Sequence, residues 1–595
     1  MLRGATIVAV LLGVGFAVPA AQADDPGYDV VPLALTVQVG PDGDTPCTIV
    51  ADLYRPHGAT RSSPAPAILT THGFGGSKAD QVPIGRGFAR QGYVVLAYSG
   101  LGFGGSGCKI YLDDPDWDGK AGSQLVDVLA GTRTATNTDT GEPVSVDFVQ
   151  LDAPGDPRVG MVGGSYGGQI QYAVAAVSQK VDALVPIITW NDLAYSLAPN
   201  NTSLSGVSYT TPGVHKKQWT SFFFALGIAD GAQYATVDPN RMVGCPNFND
   251  PACPAKAELE TLGYPGQDTV SLARHASVAS YVDKIHAPTL LLQGQKDSLF
   301  NLQEAVATYR ALKAQGTRVS MVWQSWGHSG GTPAPGELDL AADDIRDSYL
   351  GARIADWFDH WLREDDTAPV GPDFSYFRDW VYDETGSAAA AYATADAYPV
   401  GRAEPFYLSG TDQLTTSSPV AGRQSFVTAA GGAPTSYSET SALEGSVVNN
   451  PVFDAPGSFA AYTSAPLAHD LSVAGMPTVD VRLSAPTAEV SQTAGPGGML
   501  VLFAKVYDIA PDGTRTLKNR LVSPIRIADV RKPLHVELPG VVQRFAAGHR
   551  VQLVFAAGDA AYAGNALAHT VTVLTDGGNP GVLRLPVVGP PPVSG

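Results

Sequence analysis

The sequence predicts a two-domain protein. An α/β domain with a largely parallel sheet comes first, and an all-β sandwich follows. Three observations carry this. From about residue 30 to 330, short β-branched apolar runs alternate with helix-like stretches, the pattern of a parallel sheet covered by helices on both faces. Beyond about residue 400 the texture changes to short alternating runs separated by Gly, Pro, Asp and Asn, which predicts a jelly-roll sandwich. The 595 residues, 44% of them hydrophobic, are enough to bury more than one core.

Taken in chain order, "MLRGATIVAVLLGVGFAVPAAQADD" has one basic residue, an apolar stretch to about Val18 and the small-residue pattern Ala21-Gln22-Ala23. This reads as a secretory signal, residues 1–23, too short in its apolar part for a transmembrane helix. No cysteine follows the apolar run, so a lipid-anchored form is not expected. The mature protein is expected outside the cell.

The first domain spans 24–370. Its strands are predicted in "AILTTHG", "YVVLAYSG", "RVGMVGGS", "ALVPIITW", "PTLLLQGQ" and "RVSMVWQSWGH". Each ends in polar or Gly-rich residues, where such sheets place their active-site loops. Residues 191–275 break the rhythm and read as a helical insertion, placed to cap a site and shape its pocket. "LGARIADWFDHWLRED" is an amphipathic helix closing the domain. Residues 371–400, rich in small side chains, read as a connection. Residues 401–590 form the β domain, with strands in "TVDVRLSAP", "GMLVLFAKVYDI", "LHVELPG" and "RVQLVFAAG".

Charge and cysteines narrow the function class. A net charge of −19 argues against nucleic acid or an anionic membrane as partner. The four cysteines suggest two disulfides in an exported protein, and four allow three pairings. Cys245 and Cys253 bracket a short loop and are the natural local pair; Cys47 with Cys108 follows by elimination. A metal site would want a CxxC spacing or a nearby histidine, and the sequence offers neither there.

The chemistry centres on Gly163-Gly164-Ser165-Tyr166-Gly167. With 65 glycines in the chain, a G-x-S-x-G match is expected by chance on the order of half a time, so context decides. The match directly follows the apolar run "RVGMV" and precedes the helix-like "GQIQYAVAAVSQK". A nucleophile elbow needs this strand-turn-helix, with Gly163 and Gly167 keeping side chains out of the turn. A serine hydroxyl needs a base, and the base an orienting carboxylate, in the chain order Ser, Asp or Glu, His. Asp297 after "PTLLLQGQ" and His328 after "VSMVWQSWG" fit that order and the same sheet edge. His360 sits in the amphipathic helix, while His469, His535, His549 and His569 lie in the β domain; all read as structural. The oxyanion needs two donors: the N–H of Tyr166, and that of Phe74 in the loop His72-Gly73-Phe74, with His72 bracing the turn.

With these residues in place, the chain resembles the family of X-prolyl dipeptidyl-peptidases, cocaine esterase and α-amino-acid ester hydrolases. The likeness runs over almost the whole mature chain, through "HGFGGSK", "RQGYVVLAYSGLGFGGSG", "GGSYGG", "PTLLLQGQKDSLF", "WGH" and "WFDHWL". It implies an α/β-hydrolase core with a helical cap and a C-terminal jelly roll. The family's oxyanion-hole tyrosine corresponds here to Phe74, which has no hydroxyl, so backbone N–H groups or another tyrosine must complete the hole. A peptidase of this kind also needs carboxylates for the substrate's ammonium group. Asp192, Asp230 and Glu258 are the candidates near the cap, and none stands out.

The expected function is a secreted serine hydrolase forming an acyl-enzyme on Ser165, with His328 as base and Asp297 orienting it. Its substrate is a small-molecule ester or a peptide, and no cofactor or metal is expected. The alternative is a non-catalytic protein that binds polysaccharide or cell wall through the jelly roll. An open aromatic patch on the β domain would favour that reading, and a closed interface would favour a structural role.

Overall fold

The structure is a computed structural model that describes residues 27–202, 211–432, 436–437, 452–576 and 578–589. The signal-like segment 1–23 lies outside the described residues.

The first domain is built on one sheet. In chain order its larger strands are β1 (Tyr28–Val39), β2 (Thr45–Pro56), β3 (Ala67–Thr71) and β4 (Val94–Tyr98). Two small hairpins follow, β5 (Ala135–Asn137) with β6 (Pro143–Val144), and β7 (Leu151–Ala153) with β8 (Asp156–Pro157). Then come β9 (Val159–Gly164), β10 (Ala183–Ile187), β11 (Thr289–Gly294), β12 (Val319–Gln324), β13 (Phe374–Phe377) and β14 (Tyr392–Ala395). The sheet order is β14-β13-β12-β11-β10-β9-β3-β4-β2-β1-β5-β6. From β13 through β4 neighbouring strands run parallel, and antiparallel strands flank this centre on both sides.

Strand alternation assigns side chains to two cores. In β4, Val94 and Leu96 face one cluster while Val95 and Ala97 face the other; in β11, Leu291 faces the first and Leu290 and Leu292 the second. Helices α1 (Val82–Arg90), α2 (Lys120–Leu129) and α3 (Tyr166–Val177) precede the cap. The cap is inserted between β10 and β11 and consists of α4 (Leu193–Leu197), α5 (Lys217–Gln233), α6 (Ala252–Leu262) and α7 (Gln267–His275). Helices α8 (Leu302–Ala314) and α9 (Tyr349–Leu362) complete the domain. α2, α3 and α8 cover one face, and α1 and α9 the other. No helix among the described residues is long and apolar enough to cross a membrane.

One boundary needs correction. The stretch 371–400, expected to be a connection, supplies β13 and β14 to the first domain's sheet. "FSYF" is buried throughout, with Phe374 edge-on to Trp323 of β12 at 4.9 Å. The two strands are joined by a short helix, Asp379–Thr385, and by the alanine-rich part, one helical turn over Ala388–Ala391. Small residues pass for a linker until the aromatic strand beside them is paired.

The β domain is an all-β sandwich. The predicted runs form strands Thr478–Ser484, Leu500–Ile509, Leu534–Glu537 and Arg550–Ala556. Alternate residues such as Val479, Val481 and Leu483 fill its core. It is closed against the cap through Arg526, which is 3% exposed. Its guanidinium donates to the carbonyls of Pro496 at 2.7 Å, Gly213 at 3.3 Å and Gly263 at 3.4 Å, and lies 4.7 Å from the Tyr264 ring centroid. Burial brings its pKa down to about 10. The disulfides join Cys47 to Cys108 and Cys245 to Cys253.

Candidate active site

Ser165 sits between β9 and α3 with φ 56° and ψ −118°, a left-handed conformation that an L-residue holds only when its surroundings force it. Its N–H donates to Ile187 O at 2.8 Å. The turn is packed too closely for larger neighbours. A Cβ on Gly167 would lie 2.3 Å from Thr71 O, and one on Gly163 would lie 2.6 Å from Gly167 O. The serine side chain is thereby raised at the end of the parallel sheet.

The loops after β11 and β12 reach the same edge. His328 Nε2 is 2.8 Å from Ser165 Oγ, and His328 Nδ1 is 2.7 Å from Asp297 Oδ2. Asp297 is wholly buried and also accepts from Phe300 N at 2.7 Å, Leu299 N at 3.1 Å and His328 N at 3.3 Å. With Nδ1–H donating to the carboxylate, Nε2 is left to accept the serine proton. The structure thus brings Ser165, Asp297 and His328 together. His535, His549 and His569 instead face Asp480, Asp508 and Thr487 in the β domain.

The Phe74 and Tyr166 N–H groups have no hydrogen-bond acceptor among the described residues, and both residues line the cavity that contains Ser165. His72 fixes the Phe74 loop: Nδ1 donates to Gly73 O at 2.7 Å, and Nε2 accepts from Gly100 N at 3.0 Å. Burial brings the His72 pKa down to about 4, so it is neutral at ordinary pH. The Tyr166 hydroxyl does not stand in for the missing one, because it accepts at 3.0 Å from the N–H of Asp113, a wholly buried residue that does not line the cavity.

The cavity over Ser165 is formed by the core and the cap. Trp190, Phe223, Phe224, Phe248 and Phe300 dominate its lining, and no carboxylate lines it among the described residues. Its volume is about 110 Å³, of the order of the ~150 Å³ apolar cavity that takes up benzene. Each acidic candidate near the cap is engaged elsewhere. Asp192 caps α4 and pairs with Arg274 at 3.2 Å. Asp230 lies 3.6 Å from the buried Arg241. Glu258 accepts from Gly266 N at 2.8 Å and from Thr269 Oγ1. Asp113 and Asp118 are wholly buried, and burial pushes both carboxyls well above the usual range.

Sequence reasoning missed the aromatic lining, for which "SFFFAL" in α5 was the available signal. It also missed Lys216, a buried cap residue whose Nζ donates to the carbonyls of Ser298 and Leu299 in the turn that carries Asp297.

Residues 42–330 match the X-Pro dipeptidyl-peptidase (S15 family), and residues 380–575 match the X-Pro dipeptidyl-peptidase C-terminal non-catalytic domain. Solved structures similar in fold include an aminopeptidase from the marine sediment archaeon Thaumarchaeota archaeon, at 14% identity over 97% of this chain and 99% of that one, TM-score 0.61. A selenomethionine-labelled α-amino acid ester hydrolase is similar at 16% identity over 98% and 100%, TM-score 0.58. A CocE/NonD family hydrolase from Staphylococcus aureus is similar at 12% identity over 96% and 99%, TM-score 0.59. Curated proteins give no match. With two consecutive matches spanning its catalytic and C-terminal domains, the chain is a serine hydrolase of esters or peptides and belongs to the X-Pro dipeptidyl-peptidase (S15) family.

Proposed function

We propose that this chain is an exported carboxylic-ester hydrolase for uncharged, apolar substrates, working through an acyl-enzyme on Ser165. The observation that carries the reading is the cavity beside the serine. Apart from Thr220, Thr269 and Lys256, whose ammonium is paired with Glu260, its lining is aromatic and aliphatic. No carboxylate lines it among the described residues, and the acidic residues near it are engaged with other partners or wholly buried. A free N-terminal ammonium would lose its hydration there without gaining a counter-charge, at a cost of several kcal/mol. An apolar acyl or alkoxy group gains roughly 25 cal/mol per Å² buried.

In this reading His328 Nε2 takes the Ser165 proton as Oγ attacks the ester carbonyl carbon, and the oxyanion forms against the N–H groups of Phe74 and Tyr166. Asp297 holds the imidazolium. His328 then protonates the departing alkoxide, and a water activated by the same nitrogen hydrolyses the acyl-enzyme. Export is supported by the make-up of residues 1–23 and by the two disulfides.

The test is a steady-state comparison of a short-chain nitrophenyl ester with a Gly-Pro nitroanilide, using Ser165→Ala as control. Ester cleavage alone, abolished by the substitution, is expected. Efficient anilide cleavage would overturn the ester reading in favour of a peptidase, and activity retained by Ser165→Ala would overturn the serine mechanism.

A further inference from the structure

His328 is carried on the loop 325–337 between β12 and α9, a segment without regular structure. Productive geometry has to be kept within about 0.5 Å, so something must hold this loop. Its tip is tied to the Asp297 turn: Ser298 N donates to Ser329 Oγ at 2.8 Å, the two hydroxyls are hydrogen-bonded, and Ser329 N donates to Lys296 O at 2.9 Å.

Its two ends meet at one side chain. Glu337 is wholly buried. Its Oε1 accepts from Ser325 N at 2.8 Å and from the Tyr392 hydroxyl at 2.7 Å. Its Oε2 accepts from Ala334 N at 2.9 Å and from Ser325 Oγ. The carboxylate therefore joins the first residue of the His328 loop to the last few and fastens both to β14 through Tyr392. Glu337's own backbone continues the tie, since Leu350 N of α9 donates to Glu337 O at 2.8 Å.

The chemistry of the four partners is selective. Two are backbone N–H groups, which only donate, and the two hydroxyls point their protons inward as well. The site requires a group that accepts at both oxygens and donates at neither, which is an ionised carboxylate. A glutamine of the same shape would set its NH₂ against at least one donor, leaving a buried group unsatisfied. Glu337 falls between the two stretches that match family models, 42–330 and 380–575.

We propose that Glu337 is a positioning residue for His328: its buried carboxylate clamps the base-bearing loop shut and so sets the distances from His328 to Ser165 and Asp297. This rests on the serine-hydrolase reading of Ser165 and His328, but not on the ester preference.

The experiment compares Glu337→Gln, Tyr392→Phe and Ser325→Ala with the parent enzyme. It measures the second-order rate of Ser165 phosphonylation by a fluorophosphonate, the number of sites titrated at end-point, the kcat and KM for a nitrophenyl ester, and Tm. Glu337→Gln is expected to lower phosphonylation and per-site kcat roughly ten- to hundredfold with KM nearly unchanged and all sites titrated. Tyr392→Phe and Ser325→Ala, each removing one donor, should give smaller losses in the same direction.

A folded Glu337→Gln with the parent's per-site rates would overturn the proposal, as would a loss confined to the number of titratable sites or to Tm, which would mark a purely structural role. If Glu337→Gln does not fold, unchanged per-site rates in both single-donor variants overturn it. An unreactive Ser165 in the parent enzyme would instead overturn the serine-hydrolase reading beneath it.

Discussion

Glu304 Oε2 lies 2.7 Å from the N–H of Asn191, tying α8 of the core to the residue where the cap begins. The same oxygen accepts from Asp192 N at 3.1 Å, and Oε1 accepts from Ser196 Oγ at 2.6 Å. Burial outweighs these bonds and pushes the carboxyl up to about 7. Because the folded pKa exceeds the unfolded value of about 4.3, the folded state holds the extra proton between the two. Stability from this group is therefore greatest below about pH 4.3 and declines as pH rises towards 7. Glu304→Gln satisfies the same donors, with Ser196 turning to accept, and never ionises. Melting curves from pH 4 to 8 should show the variant's Tm advantage growing up to about pH 7 and then levelling off; a constant difference would refute the assignment.

The nucleophile turn leaves no room for a methyl group. Gly167→Ala places a carbon 2.3 Å from Thr71 O, which forces β3 and α3 apart at an expected cost of about 1–3 kcal/mol. Differential scanning calorimetry should show a clear fall in Tm, accompanied by loss of hydrolase activity because the Ser165 backbone moves. An unaltered Tm would mean the turn is looser than described.

Filling the cavity should separate small substrates from large ones. Ala255 of α6 lines its wall, and Ala255→Trp would occupy space of the order of one aromatic ring. We expect kcat/KM for a benzoyl or phenylacetyl ester to fall at least tenfold, while an acetyl ester loses only a few fold. Equal losses on both esters would show that the substitution distorts Ser165 instead of excluding the larger group.

Arg526→Met removes the buried guanidinium that reaches from the β domain into the cap. The carbonyl of Gly213 loses its donor and that of Pro496 keeps only the bond from Met499 N, and a buried acceptor left unpaired costs about 1–3 kcal/mol. Limited proteolysis should cut the cap of the variant several times faster than that of the parent, with little change in the β domain itself. Equal rates would show that the cap is held by its other contacts.

How far the sequence could be read follows from how local each signal is. Ser165, Asp297 and His328 each end or follow a parallel strand, so a strand pattern and chain order suffice to pick them out, and the structure brings their side chains within hydrogen-bonding distance. Glu337 carries no such mark: its partners, Ser325, Ala334 and Tyr392, come together only when β14 is paired with β13. That pairing was itself hidden, because Tyr392 sits among the alanines that made 371–400 resemble a linker. The aromatic run of α5 was visible, but which of its phenylalanines face Ser165 depends on how the cap lies over the sheet.

The disulfide between Cys47 and Cys108 fastens β2 to the glycine-rich loop after β4. The same loop receives the cap residue Arg241, through the carbonyls of Gly104 and Ser106, and Cys108 N donates to Asp238 of the cap at 2.8 Å. Neither sulfur belongs to the catalytic constellation, so the bond's state bears on where the cap rests, not on proton transfer. Molecules made in a reducing compartment would keep Ser165 beside His328 while the loop that receives the cap loses its covalent tie to β2. Preparations from different expression hosts would then agree on the smallest esters and diverge on the bulkiest, a signature of incomplete oxidative maturation that a single-substrate assay would miss.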